Sequence, residues 1–179
     1  MPGELLTTIA ECGIGFAGFS ALVVIIPQLA GTPWRGQMAT GLWLMVSWSL
    51  TAFVFSLLPL VVREFGASES EAFAISSGSL GIAIIVQGVL AGSRDRKLAR
   101  AGAARPAERR IVVAAGFAIS VSLMLFLNSA GVLPGSRSGW YLAGLLSLFV
   151  LAAAPLSLFL EQLDANRDRA TVQDDEADD

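Results

Sequence analysis

Apolar residues come in five long runs, with short polar segments between them. The runs cover residues 5–29, 41–62, 72–91, 111–132 and 140–160. Each has about 20 residues, which is the length that an α-helix needs to cross the hydrocarbon core of a bilayer. The strands and core helices of soluble domains have shorter apolar runs. The pattern therefore predicts an all-α fold, a polytopic transmembrane helix bundle with five spans.

The boundaries of the runs carry loop and helix-start signals. Glycine, proline and serine cluster at residues 31–33, 66–68 and 134–136, as is typical of turns. Ser68 and Glu71 form an S-x-x-E capping box that predicts the start of the third helix. The third run contains four consecutive small or polar residues, 76–79. A four-span alternative, with residues 72–91 as a re-entrant segment, therefore stays open.

Composition supports a membrane protein and removes several classes of site. The chain is 54% hydrophobic and 15% charged, with a mean hydropathy of +0.66, whereas soluble domains carry about 25% charged residues. It has no histidine and one cysteine, Cys12, which excludes His-ligated metals, zinc clusters and a disulfide framework. No nucleophile with a base and no catalytic carboxylate pair lies in a span. We expect no metal, no cofactor, no nucleic-acid partner and no enzymatic activity.

The distribution of basic residues predicts the orientation. The connection of residues 92–110 carries seven of the twelve Lys and Arg residues. Placing it in the cytoplasm puts ten basic residues inside and leaves only Arg63 and Arg137 outside. By the positive-inside rule the N-terminus is outside and the C-terminus cytoplasmic. Arginine outnumbers lysine eleven to one, which favours the cytoplasmic (inner) membrane of a bacterium.

Two cytoplasmic segments have opposite charge. The basic connection is a candidate for contact with anionic lipid headgroups or with a partner, through Arg94, Arg96, Lys97, Arg100, Arg109 and Arg110. Residues 161–179 carry eight acidic and two basic residues, a composition typical of a disordered tail. The spans themselves end at residue 160, so the transmembrane domain is residues 1–160.

Small residues predict where helices approach closely, because helices in lipid pack through them. The candidates for packing are Gly13, Gly15, Gly18, Gly81 and Gly88. On the first helix, Gly15 and Gly18 share a face with Glu11, and Gly13 lies on the opposite side. Small residues on two sides predict that the first helix is central to the bundle. Residues 13–18 also spell G-x-G-x-x-G, but within a span this is a packing motif and not a dinucleotide fingerprint.

Glu11 is the acidic residue that lies well inside a span. An ionisable group in a membrane is costly and is a functional candidate by default. Its position, six residues into the first span, leaves two interpretations. It forms an ion pair with Arg63 at the end of the second span, or it binds a proton or cation. A polar pathway would run from Glu11 past Ser77 to Gln87.

The other polar residues have simpler explanations. Gln87 and Asn128 are expected to hydrogen-bond between helices. The serines at 76, 77, 79, 120 and 122 are expected to bond to carbonyl oxygens of their own helices. Pro59 and Pro155 are expected to bend their helices, and each frees a backbone carbonyl that needs another donor.

These observations leave two functional hypotheses. The first is a non-enzymatic accessory or interaction subunit, held in the lipid bilayer, which assembles as a homo-oligomer or with another membrane protein through small-residue helix faces. The alternative is an oligomeric small-ion or proton-coupled transporter or channel that uses Glu11.

Overall fold

The computed structural model describes residues 2–29, 36–100 and 108–153, and within these ranges it contains five helices. They are α1 (Pro2–Leu29), α2 (Gly36–Glu64), α3 (Glu69–Arg100), α4 (Glu108–Ser129) and α5, described over Arg137–Ala153. Each of the five predicted apolar runs falls on one of these helices. The fold class predicted from the hydrophobic pattern, an all-helical bundle, is confirmed.

Three helical segments are long and apolar enough to cross a membrane. They are Gly41–Glu64, Glu69–Arg94 and Val112–Ser129. The predicted third span lies in an unbroken helix of 32 residues, whereas a re-entrant segment turns back inside the membrane. The acidic tail at 161–179, Pro155 and residues 101–107 of the basic connection lie outside the described residues.

Local hydrogen bonds define the ends of the helices. The capping box is formed: the Ser68 backbone N–H donates to the Glu71 carboxylate at 2.9 Å, and the Glu71 N–H donates to the Ser68 hydroxyl at 3.3 Å. Helix α4 ends in a Schellman motif, in which Val132 N–H donates to the Leu127 carbonyl. Gly131 takes the required positive φ of 73°. The predicted boundary at residue 132 therefore moves back to Ser129.

Helix α3 continues beyond the predicted span. The sequence places a connection over residues 92–110, but α3 extends as far as Arg100. A helix of 32 residues is about 48 Å long, and the hydrocarbon core of a bilayer is about 30 Å thick. Helix α3 is therefore longer than the core of a bilayer is thick, and its C-terminal turns carry Arg94, Arg96 and Lys97.

Helices that follow each other in the chain pack side by side, α1 on α2, α2 on α3 and α3 on α4. Helix α5 enters the space between them, with four of its side chains fully buried: Tyr141, Leu145, Leu148 and Ala152. The Tyr141 ring packs edge-to-face on Phe73 of α3, with 5.6 Å between centroids. Gly144 brings the backbone of α5 close to Leu125 of α4.

The central helix of the described bundle is therefore α5, which differs from the sequence-based expectation for α1. The prediction used the small residues on two sides of α1. Gly13 does pack against α2, but at Gly15 and Gly18 no atom of the described residues lies within 4 Å of the position of a Cβ. Over these residues α1 lies at the edge of the bundle. Small residues indicate that close approach is possible, but they do not identify which of several faces is used.

Candidate functional site

The described part of α1 has one packed face and one open face. The packed face is formed by the buried residues Leu6, Ile9, Ala10 and Gly13. At 100° per residue the opposite side of the helix carries residues that are all exposed, namely Glu4, Thr8, Glu11, Gly15 and Gly18. We call these five residues the outward face of α1. It is polar and small in the middle of an otherwise apolar helix.

Gly13 fixes the register between α1 and α2. A Cβ at this position would lie 3.1 Å from the Ser49 carbonyl oxygen and 3.2 Å from the Phe53 Cβ. The two helix backbones therefore approach closely here, as small residues allow in membrane bundles. Glu11 consequently lies at about the level of Phe53 on the neighbouring helix.

This register separates Glu11 from Arg63. Arg63 lies ten residues beyond Phe53 along α2, which corresponds to about 15 Å at 1.5 Å per residue. Both side chains are exposed, and among the described residues they form no ion pair with each other. The structure therefore does not form the predicted Glu11–Arg63 ion pair. That prediction assumed that both helices start their spans at the same level, whereas the packing of α1 on α2 offsets them.

Ser77 belongs to a buried polar contact that joins three helices. Asn128, 1% exposed, donates from its Nδ2 to the Ser77 hydroxyl at 2.8 Å and to the Arg137 carbonyl at 3.0 Å. The Arg137 guanidinium then donates to the Ser70 carbonyl at 3.2 Å. The ends of α3, α4 and α5 are tied together by this set of bonds, which confirms Asn128 as an interhelical residue.

Gln87 of α3 faces α2, whereas Ser77 faces α4. Its Nε2 donates to the Thr51 hydroxyl, which in turn donates to the Ser47 carbonyl at 2.8 Å. The expectation that Gln87 bonds across helices is confirmed. Its Oε1 is buried and has no hydrogen-bond partner among the described residues.

The proposed path through Glu11, Ser77 and Gln87 is not a continuous one within this bundle. Glu11 lies on the outward face of α1, Ser77 bonds to α4, and Gln87 bonds to α2. Ser77 and Gln87 are ten residues apart, or about 15 Å along the helix. The structure does not bring these three residues together.

The two remaining packing candidates also differ from each other. Gly81 packs against α4, where a Cβ would lie 3.3 Å from the Phe126 ring. Gly88 is exposed, and no atom of the described residues lies within 4 Å of the position of a Cβ there. A neighbouring side of α3 is apolar and exposed, as expected for a lipid-facing surface, and consists of Ile82, Ile85, Val86 and Val89.

The serines divide into two groups. Ser79, Ser120 and Ser122 donate to carbonyls of their own helices at 2.8 to 2.9 Å, as expected. Ser76 does not follow the expectation, because its buried hydroxyl has no such partner. Ser77 accepts a bond from Asn128 instead.

Tyr141 is a buried polar residue to which the sequence analysis assigned no hydrogen bond. Its hydroxyl donates to the backbone carbonyl of Phe55 on α2. This is the carbonyl that Pro59 leaves without a donor, since a helical bond joins residue i to residue i−4. The proline indicated that a donor was needed, but the choice of Tyr141 depends on where α5 lies.

Basic residues lie close together at the C-terminal end of α3, away from the end that begins at Glu69. The Arg94 guanidinium lies over the Trp43 ring of α2, 3.8 Å from its centroid. Arg96 and Lys97 on the next turn are exposed. Arg100 ends α3, and Arg109 and Arg110 lie in the first turn of α4. The connection between these two helices lies outside the described residues.

A groove runs between α1 and α5 beside the outward face. It has a volume of about 430 Å³ and an apolar lining that includes Ile9, Cys12, Leu146 and Phe149. Thr8 contributes a hydroxyl that already donates to the Glu4 carbonyl at 3.1 Å. Cys12 is exposed and lies in this apolar setting.

No protein-family model, no curated protein and no solved structure matches the chain. The interpretation of its function therefore depends on the geometry of the helices and on the chemistry of their exposed faces.

Proposed function

We propose that the chain is a non-enzymatic interaction subunit of a membrane assembly. In this proposal it spans the inner membrane of a bacterium five times, with the N-terminus outside and the C-terminus in the cytoplasm. The outward face of α1 binds the same face of a second copy. The bundle supplies the scaffold, and α1 supplies the contact.

The observation that carries the proposal is that Glu11 is exposed on the outward face of α1, on the same side as the exposed glycines Gly15 and Gly18. A carboxyl group in contact with lipid is costly, so residues of this kind in spans nearly always face protein or a water-filled space. Gly15 and Gly18, on the same side, have no neighbour among the described residues within 4 Å of a Cβ position. Two backbones can therefore approach there, as they do at other small-residue contacts between transmembrane helices.

A second copy is the partner that fits the depth of these residues. Two copies inserted with the same orientation place their Glu11 residues at one level and their Gly15 residues at another. A two-fold contact is self-complementary, so each Glu11 side chain meets the polar groups of the same face on the other copy. Arg63, the exposed cation at that end of the bundle, lies about 15 Å from this level along α2 and is a poor alternative partner.

Disulfide cross-linking in membranes tests the contact. Cys12→Ser gives a chain without cysteine, into which Ile14→Cys introduces a thiol at the edge of the outward face. Ile82→Cys on α3 is a matched control, because both isoleucines are 57% exposed. We expect cross-linked dimer from Ile14→Cys and little from Ile82→Cys.

Two further variants test the residues of the contact. Gly15→Leu and Glu11→Leu, each added to the Ile14→Cys chain, should reduce the cross-linked fraction. Gly116→Leu on α4 is the control, since Gly116 is also an exposed glycine with open space. Equal cross-linking at Ile14 and Ile82, or no response to Gly15→Leu, would contradict the proposal.

The alternative function, an oligomeric small-ion or proton-coupled transporter, uses the same residue in a seam between copies. Flux into liposomes that contain the purified protein distinguishes it. An interaction subunit gives no flux with either the native chain or Glu11→Gln. Flux that Glu11→Gln abolishes in a folded, dimeric protein would instead support transport.

A further inference from the structure

We propose that Trp43 and Arg94 form a binding site for the phosphate group of an anionic phospholipid, at the point where α3 leaves the bilayer. This site is separate from the outward face of α1 and does not depend on oligomer formation. It uses residues from two helices, one aromatic and one cationic.

The stacked geometry leaves the arginine available to an anion. The Arg94 guanidinium covers the Trp43 ring at 3.8 Å from the centroid, and the residue is exposed. A guanidinium carries its five N–H donors in its plane, and they fit the oxygens of a phosphate in pairs. Because the ring occupies one flat side, the donors at the edge of the plane stay open. The indole also restricts the orientation of a side chain that would otherwise be flexible.

The site lies at headgroup depth. Arg94 is 25 residues after Glu69, the first residue of α3, which corresponds to about 37 Å along the helix. Trp43 is 21 residues before Glu64, the last residue of α2, or about 31 Å. A bilayer is about 30 Å thick in its hydrocarbon core and about 40–45 Å with its headgroups. If the Glu64 and Glu69 ends lie at one surface, Trp43 and Arg94 lie at the other.

The local charge attracts anions. Arg96 and Lys97 follow Arg94 on α3 and are exposed, and residues 92–110 carry seven basic and two acidic residues. A basic residue near an anionic membrane surface contributes about 1 kcal/mol, or about a five-fold change in binding.

The surface next to Arg94 favours a lipid over a free phosphate. Leu90 and Val86 lie one and two turns from Arg94 on the same side of α3. They are 47% and 50% exposed. A phospholipid places its phosphate on Arg94 and an acyl chain along these two side chains. Inorganic phosphate cannot use the apolar contact.

Native mass spectrometry of the full chain in neutral detergent tests the site by titration with phosphatidylglycerol or phosphatidylcholine. We expect tighter binding of phosphatidylglycerol. Arg94→Gln should weaken it about five-fold, and Trp43→Leu, which keeps every charge, should weaken it by about two-fold or more. Arg96→Gln is the control, since it removes the same charge from a different side of α3. If Arg94→Gln does not fold, Trp43→Leu and Arg94→Lys still test the stacked geometry.

Several outcomes would overturn the proposal. Equal losses for Arg94→Gln and Arg96→Gln, with none for Trp43→Leu, mean a diffuse charge effect. Equal affinity for the two lipids removes the role of the anionic headgroup. Thermal stabilisation by inorganic phosphate equal to that by phosphatidylglycerol means that the site takes a free anion. Binding that appears only after deletion of residues 161–179 means that the acidic tail occupies it.

Discussion

The hydroxyl of Tyr141 on α5 donates a hydrogen bond to the Phe55 carbonyl of α2, the acceptor that Pro59 deprives of its helical donor. Tyr141 and Pro59 are both buried, so no water is at hand to replace the bond. The proline and the tyrosine are therefore complementary, although 82 positions of the sequence separate them.

The first prediction concerns this pair. Tyr141→Phe leaves the part-buried Phe55 carbonyl without a donor and should lower the free energy of unfolding by about 1–3 kcal/mol. Pro59→Ala restores a backbone N–H to the same carbonyl, so the cost of Tyr141→Phe should be smaller in the Pro59→Ala chain. A double-mutant cycle of unfolding in detergent micelles measures this coupling. Additive effects of the two substitutions would show that the carbonyl is satisfied in another way.

A second prediction concerns Asn128, which joins Ser77 on α3 to the first residue of α5. Asn128→Leu removes both bonds at similar volume and should cost about 1–3 kcal/mol, because a buried hydroxyl and a buried carbonyl lose their donor. Ser77→Ala should cost less, since Asn128 keeps its bond to the Arg137 carbonyl. Thermal unfolding followed by circular dichroism compares these variants.

The control for Asn128 is Ser120→Ala. Ser120 is exposed and donates only to the Gly116 carbonyl of its own helix, so its loss should change stability little. A larger effect at Ser120 than at Asn128 would mean that the buried contact is not a main support of this end of the bundle.

A third prediction compares two glycines of one helix. Gly13→Leu places a large side chain where α2 approaches within 3.2 Å of a Cβ, and we expect it to destabilise the bundle by about 1–3 kcal/mol or more. Gly15→Leu meets no atom of its own bundle and should leave the melting temperature of the monomer in detergent nearly unchanged. Similar destabilisation by both substitutions would mean that α1 packs on both faces within one chain.

A fourth prediction follows from the capping box of α3. Hydrogen bonds from the Ser68 hydroxyl and then from its backbone N–H hold the pKa of the Glu71 carboxyl below its usual value of 4.5. A carboxyl with a lowered pKa in the folded state binds fewer protons than in the unfolded state. It therefore stabilises the fold above about pH 4.5, and this contribution is lost as the pH falls through the lower folded value.

Unfolding measured between neutral pH and about pH 3 checks this dependence, within the range where the unfolded carboxyl takes up its proton. Ser68→Ala should reduce the part of the acid destabilisation that comes from Glu71. Ser79→Ala, which removes a hydroxyl bonded only to the Ile75 carbonyl, should leave the pH dependence as it is in the native chain. An unchanged dependence in Ser68→Ala would contradict the role of the box.

The sequence predicted the helices better than it predicted their neighbours. The long apolar runs, the Ser68–Glu71 box and the turn glycines act over a few residues, and most of the described helix ends lie close to these signals. The exception is α3, which continues to Arg100. The interhelical roles of Asn128 and Gln87 were also predictable, because an amide in an apolar helix needs a partner. Their actual partners, Ser77 and Thr51, were not.

The candidate site was predicted only in part. The grouping of Glu11, Gly15 and Gly18 on one face follows from helical periodicity alone. The Glu11–Arg63 ion pair is not formed among the described residues, because it depends on the offset between α1 and α2 that Gly13 sets against Ser49 and Phe53. The stacking of Arg94 on Trp43 depends in the same way on the register of α2 and α3.

By itself the sequence determined the helical class, the approximate bounds of the helices and the residues that share each helix face. These properties follow from hydrogen bonds within a segment and from a fixed angle of about 100° per residue. Only the tertiary structure decided that α5 is central, that Tyr141 donates a hydrogen bond to the Phe55 carbonyl and that Glu11 faces away from the bundle. Each of these depends on the offset and rotation of one helix against another, which are set by the packing of side chains far apart in the chain.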